Sequence, residues 1–408
     1  NFISNFYSIV IYGLTLLLVL MLPFQLPTHK HVNELSFLFI LSASLMVLLL
    51  RTTNLVYAYL LIEGIAISFY IFIAYYSKSL PSIEAGFKYY FVGTLTAIIL
   101  LLGIFFYYRA TLSITLDFYD ANQFFVVNNS FLALGILLIC LALAFKLGSA
   151  PLHFWVPEVY HGAPLYSLPM IIALSKLAVG FFLIYTLVNF RQHLHFIFQP
   201  LKTLFYFLSV SSILIGNLLA IKQRDVKKIL AYSSVANVGY LLSLLTLDLT
   251  DQLIQVYSSY LLVYSLSVFF FFLIVSCVMT DKNSVYLSLQ EFSYILSKSN
   301  IAILLSVFFI LLNLAGFPPT IGFLLKLSII YQLLKQHSYF LSVLVILTSI
   351  LSIYYYWSIL SAIISGIKRI SIKYYLTLSE IFLTLVALII SFYFLIAIFV
   401  PGIIPFFQ

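Results

Sequence analysis

The chain predicts an all-α fold, a polytopic bundle of about twelve transmembrane helices, on three observations. Apolar residues fill 63% of its 408 positions and charged ones only 8%, with a mean hydropathy of +1.14. No single water-soluble core accommodates that balance. The apolar residues also gather in runs of roughly 20, the number that crosses about 30 Å of hydrocarbon at about 1.5 Å per residue. Finally, stretches such as Ile98-Ile99-Leu100-Leu101-Leu102 are apolar on every face, which excludes the alternating pattern of a membrane β-barrel.

In order, the runs fall near 6–26, 34–50, 54–77, 87–108, 130–150 with a continuation to about 160, 166–189 and 202–221. They continue near 229–247, 253–279, 300–316 with a continuation to about 334, 338–362 and 375–400. No linker or low-complexity stretch divides them, so residues 1–408 read as one membrane domain. The longest connection, near 109–129, carries Asp117, Asp120 and Asn122. The first run is long and lacks a basic start, so a cleavable signal peptide is not expected. The chain begins at Asn1 rather than Met, which leaves room for residues upstream.

The formal charge of +8 does not make a nucleic-acid patch, because the cations fall in alternate connections. One side receives Lys30, Lys78, Lys88, Lys222, Arg224, Lys227, Lys228, Lys282, Lys298, Lys368, Arg369 and Lys373; the other receives Arg51, Arg109, Arg191, Lys202 and Lys335. The positive-inside rule puts the richer side in the matrix or cytoplasm, and an even span number puts both termini opposite. Phe, Tyr, Ile and Lys are abundant while Arg is scarce, a bias that fits an A+T-rich organellar genome. Cys140 and Cys277 are far apart in apolar runs and read as small buried hydrophobes rather than a disulfide or metal framework.

Two segments depart from regular helix in a related way. Leu141 to Gly162 holds Gly148, Pro151 and Pro157; Leu311 to Lys326 holds Gly316, Pro318, Pro319 and Gly322. Each is too long for one span and too short for two. Interior proline frees backbone groups, which at membrane depth are tolerated only beside protein or a wet cavity. Broken helices at corresponding places in two halves point to inverted repeats and an ion path near the midplane. Segments 34–189 and 202–362 hold five spans each, an odd number that inverts the second copy, and 375–400 forms a C-terminal helix.

Five ionisable residues stand inside the apolar runs: Glu63, Lys146, Lys176, Lys326 and, less deeply, Glu380. A lysine at mid-bilayer costs about 3 kcal/mol on insertion scales, so each is a functional candidate by default. Burial disfavours the charged form of lysine and a neighbouring carboxylate restores it. A moving counter-charge such as Glu63 therefore switches a lysine between loaded and empty, and a chain of such sites joined by water conducts protons. Glu63 is also open to a static role at a helix interface, and Glu380, seven residues past Lys373, reads as a packing or interface residue. His153 reads either as a proton relay or as a satisfied structural histidine. His29, His31, His161, His193, His195 and His337 read as loop or interface residues, and singly none makes a metal site. Tyr354-Tyr355-Tyr356-Trp357 reads as an interfacial aromatic girdle. There is no dinucleotide fingerprint, phosphate-binding loop or cysteine cluster, so electron chemistry belongs elsewhere.

The run from Ala144 to Pro164, which contains Phe145-Lys146-Leu147-Gly148-Ser149-Ala150-Pro151-Leu152-His153-Phe154-Trp155-Val156-Pro157-Glu158, resembles the signature of the antiporter-like proton-pumping subunits of respiratory complex I. Three more stretches agree in order and spacing: Glu84-Ala85-Gly86-Phe87-Lys88-Tyr89-Tyr90 with Gly93; Lys228-Ile229-Leu230-Ala231-Tyr232-Ser233-Ser234; and Ala315-Gly316-Phe317-Pro318-Pro319 with Gly322, Phe323 and Lys326. The likeness covers about 34–362, and the stretch at 84–93 separates the subunit 2 branch, in its mitochondrial form, from larger siblings. The resemblance implies that Glu63 pairs with Lys146, that Lys176 is the central lysine, and that Lys326 on the second broken helix is the last relay before release. It implies vectorial proton transfer across the inner mitochondrial membrane, driven by redox chemistry on partner subunits that hold NADH, FMN, iron–sulfur clusters and ubiquinone. Neighbouring antiporter-like and other membrane-arm subunits, and lipids, are the implied partners. The bacterial form has fourteen helices, and the twelve here match its third to fourteenth. The family's usual histidine after the Ala-Tyr-Ser-Ser run is Asn237 here, which removes a titrating group but keeps a polar one. Two other readings share the lysines and the breaks: a stand-alone cation/proton antiporter of the related multi-subunit family, and a scaffold subunit that no longer pumps.

Overall fold

Glycines at two helix ends set the architecture of the site. In this computed structural model, which describes residues 2–26, 32–74, 80–116, 129–193, 198–278, 287–297, 299, 301–318 and 320–367, the chain is helical throughout. Among the described residues there is no β-strand, and two isolated β-bridges are the only extended pairing. The C-terminal run 375–400, Glu380 and Pro319 lie outside the described residues.

The first five predicted runs become α1 (Phe2–Gln25), α2 (Val32–Leu49), α3 (Leu55–Ala74), α4 (Leu80–Thr111) and α5 (Asn129–Leu147). The predicted continuation is a separate short helix, α6 (Trp155–Gly162). A π-helical stretch, Pro169–Leu174, then leads into α7 (Ser175–His193). The next runs become α8 (Phe198–Ile221), α9 (Val226–Leu244) and α10 (Asp251–Val278). After α10 the chain forms α11 (Leu289–Ser297), too short to cross a membrane, and then α12 (Ile301–Ala315), α13 (Ile321–Lys335) and α14 (Tyr339–Ile367). Among the described residues nine helices are long and apolar enough to span a bilayer. α12 falls short because the break divides its span.

Both breaks open on the same motif. At the end of α5, Ser149 N–H donates to Ala144 O (3.1 Å) and Gly148 N–H to Phe145 O (2.9 Å). At the end of α12, Phe317 N–H donates to Leu312 O (3.1 Å) and Gly316 N–H to Asn313 O (3.1 Å). These are paired Schellman closures, which need a residue in the left-handed region, and Gly148 (φ 87°) and Gly316 (φ 74°) supply it.

Within the 18-residue apolar window of each span, 83% of residues are buried in Pro169–Phe190 and 78% in Asp251–Val278, against 33% in Leu80–Thr111. α7 and α10 therefore form the middle of the bundle and α4 its edge. α1 lies along α10, with Tyr7 OH donating to Ser258 O (2.7 Å) and Gln25 Nε2 to Ser276 Oγ (2.9 Å). Large exposed apolar side chains such as Phe37, Ile67, Ile98 and Leu347 stand on outer faces, as expected where the surrounding solvent is lipid.

Two β-bridges tie connections to one another. Asn54, just before α3, pairs with Thr115, just after α4; Asp225, just before α9, pairs with Ser288, well past the end of α10. The first pair lies in the connections poor in basic residues and the second in those rich in them.

Candidate functional site

Glu63 on α3 and Lys146 in the last turn of α5 meet across 83 residues of sequence, Nζ donating to Oε1 at 2.7 Å. Their side chains are 20% and 12% exposed. Beside them lies a cavity of about 20 Å³, bordered by Lys146, Tyr70, Tyr89 and Trp155 among others, with room for about one water. The Tyr70 hydroxyl and Trp155 Nε1 are buried and have no hydrogen-bond partner among the described residues. Trp155 stacks on Tyr89 with centroids 5.1 Å apart, which fixes its indole at the cavity wall.

Trp155 opens α6, and five residues on, Tyr160 lies beneath Lys176, whose Nζ is 5.9 Å from the ring centroid. That is within cation–π range. Lys176 is 3% exposed and its Nζ has no hydrogen-bond partner among the described residues. The wide π turn ahead of it is the kind of helix irregularity that recurs at functional sites. It is closed by the Ser175 hydroxyl donating to Ile171 O.

From Tyr160 polar groups continue onto α9. Ser234 Oγ approaches the Tyr160 hydroxyl at 3.5 Å. One turn further, Asn237 Nδ2 donates to Ser233 O (2.8 Å) and its Oδ1 accepts from Tyr260 OH (2.7 Å). Asn237 and Tyr260, with Tyr264, Ser267, Asn313 and Lys326, border a second cavity of about 20 Å³. Lys326 on α13 donates to Ala315 O (2.8 Å), the carbonyl left open at the second break, and to Ser352 Oγ on α14 (3.0 Å). Asn313 staples that break: its Nδ2 donates to Ser267 Oγ and its Oδ1 accepts from Gly322 N–H, both at 2.8 Å.

The four candidates fall into three settings: an ion pair, an aromatic face and a set of neutral oxygens. Glu63 and Lys146 touch; Lys176 lies over Tyr160, which Ser234 approaches, and Asn237, one turn further along α9, lines the same cavity as Lys326. His153 belongs to none of these: its Nδ1 faces Pro151 O (3.2 Å) and its ring lies near Phe154 and Tyr232. Pro151 and Pro318 lie in the two breaks, both exposed. The aromatic girdle expected at 354–357 is only half one. Tyr354 and Trp357 are exposed, but Tyr355 and Tyr356 are 2% and 0% exposed, because successive helical residues point about 100° apart. Tyr355 OH reaches Asn217 Oδ1 at 3.4 Å in the core.

Tyr160, Ser234 and Asn313 were not singled out from sequence. Asn313 had a signal, a lone amide inside Leu311-Leu312-Asn313-Leu314; Tyr160 and Ser234 had none beyond sitting in the recognised stretches. Among the described residues no group of three or more His, Cys, Asp or Glu is placed to hold a metal. Cys140 and Cys277 are buried in α5 and α10, a donor set that does not suit an iron–sulfur cluster held by four thiolates.

Residues 52–352 match the family model described as NADH:quinone oxidoreductase/Mrp antiporter, transmembrane. The chain is 35% identical over 335 residues to NADH-quinone oxidoreductase subunit N 2 of Thermodesulfovibrio yellowstonii, covering 81% of this chain and 70% of that one. It is 31% identical over 329 residues to subunit N of Acinetobacter baumannii, covering 79% and 64%. The chain spans 61% to 70% of the length of such curated relatives. Its fold is similar to a chain of respiratory complex I from Thermus thermophilus with bound aureothin, with a TM-score of 0.75 at 23% identity, covering 99% of this chain and 85% of that one.

Proposed function

This chain belongs to the NADH:quinone oxidoreductase/Mrp antiporter transmembrane family, and we propose that within it the chain is a proton-translocating membrane subunit of an NADH:quinone oxidoreductase. The observation that carries the proposal is that three membrane-depth lysines are each held inside the bundle, Lys146 by Glu63, Lys176 over Tyr160 and Lys326 by Ala315 O and Ser352. Each lysine is held differently: Lys146 by a carboxylate, Lys176 by an aromatic face and Lys326 by neutral oxygens. A proton on Lys146 is stabilised while Glu63 faces it. Movement or neutralisation of Glu63 leaves that charge uncompensated in a poorly solvated site, so the proton passes on. The cavity at Tyr70 and Trp155, then Tyr160, Ser234 and Asn237, supply hydroxyl, amide and water positions for the transfer to the cavity at Lys326.

Redox groups are assigned to partner subunits, and neighbouring antiporter-like subunits are the proposed lateral partners. The scarcity of Arg beside abundant Phe, Tyr, Ile and Lys supports a site in the inner mitochondrial membrane. Residues 34–189 and 202–362 are read as inverted repeats. The matching Schellman breaks and the β-bridges in opposite sets of connections support that reading.

The test is Lys176→Met in the assembled complex. Protons moved per electron are expected to fall, while NADH oxidation with a protonophore persists. Unchanged pumping with full assembly would leave the scaffold reading. The family description also covers cation/proton antiporters, and copurification with an NADH-oxidising assembly separates the two.

A further inference from the structure

Lys227 is the second residue of α9, one of the cations that the sequence assigns to the basic-side connections, and it is 0% exposed. Its Nζ donates to Ala163 O at 2.9 Å and to His161 O at 3.4 Å. Those are carbonyls at the end of α6, where a helix has no intrahelical donors left and a cation is favoured.

Resting on the proton-path reading above, we propose that Lys227 is a positioning residue, which fixes the second half of the first broken helix against α9 and so sets the contact between Tyr160, Lys176 and Ser234.

The grip falls between the two groups it governs. Tyr160 lies three residues before Ala163, and Lys176 follows after one turn, closed by Ser167 N–H on Pro164 O (3.1 Å), and the π stretch. Ser234, which meets Tyr160, is seven residues beyond Lys227 on α9. Residues seven apart lie two turns along one helical face, so α9 holds α6 at two levels on that face. The upper level is poised: at 3.5 Å the Ser234–Tyr160 approach is at the limit of a hydrogen bond, and a slip of a few tenths of an ångström breaks it.

The test uses the assembled NADH-oxidising complex in sealed vesicles, reading protons moved per electron together with NADH oxidation in the presence of a protonophore. Lys227→Met is expected to lower the proton-to-electron ratio by the same fraction as Lys176→Met, with uncoupled oxidation per complex unchanged. Lys227→Arg, which keeps the donors and the charge, is expected to restore it. A purely structural lysine would lower the amount of complex and leave the ratio alone, so a normal ratio in Lys227→Met overturns the proposal. A ratio that falls in Lys227→Arg also overturns it. Arginine does not give up its proton, and that result would make Lys227 a carrier rather than an anchor. If Lys227→Met does not assemble, Lys227→Gln is read in its place. A normal ratio in Lys176→Met would instead overturn the underlying proton-path reading.

Discussion

Lys176 is the residue whose surroundings have no static explanation. Lys146 pairs with a carboxylate and Lys326 bonds a carbonyl, whereas Lys176 has, among the described residues, no hydrogen-bond partner and lies over the Tyr160 ring. Its insertion cost of about 2.5–3.5 kcal/mol is therefore offset only in part. Lys176→Met should raise the thermal midpoint of the purified protein while abolishing its pumping. A lowered midpoint would reveal a stabilising partner and remove the argument. At this scale the sequence was informative wherever charge met an apolar run, which is how Glu63, Lys146, Lys176 and Lys326 stood out. It was uninformative for Tyr160 and Ser234, since tyrosine and serine are common in this chain and only the meeting of α6 with α9 selects two of them. Lys227 was read only as one of the basic-side connection cations; its burial depends on where the end of α6 lands.

The broken helices are the elements that carry Lys146 and Lys326. A Cβ at Gly316 would stand 2.9 Å from Lys326 Cδ and 3.1 Å from its Nζ. The left-handed backbone alone costs a side chain about 1–2 kcal/mol. Gly316→Ala is thus expected to lower the thermal midpoint by a few degrees and reduce pumping together. Gly13→Ala, in α1 with nothing within 4 Å, should be neutral or stabilise by up to about 1 kcal/mol. Equal effects at the two sites would mean that the break does not set the position of Lys326. The existence of both breaks was legible from Gly and Pro. Their common closure was not, because it depends on which glycine takes positive φ. α11 was also missed, although Ser288 and Glu291 form the reciprocal contacts of a capping box (Glu291 N–H to Ser288 Oγ 3.3 Å, Ser288 N–H to Glu291 Oε2 3.4 Å). A search for long apolar runs passes over a nine-residue amphipathic helix.

For the whole molecule, the order of the apolar runs up to residue 362 could be read from hydropathy, because a bilayer imposes one length on every crossing; the packing order, with α7 and α10 innermost, could not. Topology is open to a direct check. Gln252, at the start of α10, and Gln290, beyond its end in α11, are both exposed and separated by one crossing. The native Cys140 and Cys277 are buried and give a quiet background. A membrane-impermeant maleimide should label Gln252→Cys from one face of the membrane and Gln290→Cys only from the other. Labelling of both from one face would overturn the topology.

The two small cavities have a consequence for what the membrane can hold back. Each is about 20 Å³, enough for about one water. A proton on the proposed path would cross such a site by exchange of O–H and N–H bonds while the heavy atoms stay in place. On the proposed path, sodium and potassium would not follow the proton. The subunit's turnover should slow in heavy water and be indifferent to replacing one alkali cation with another.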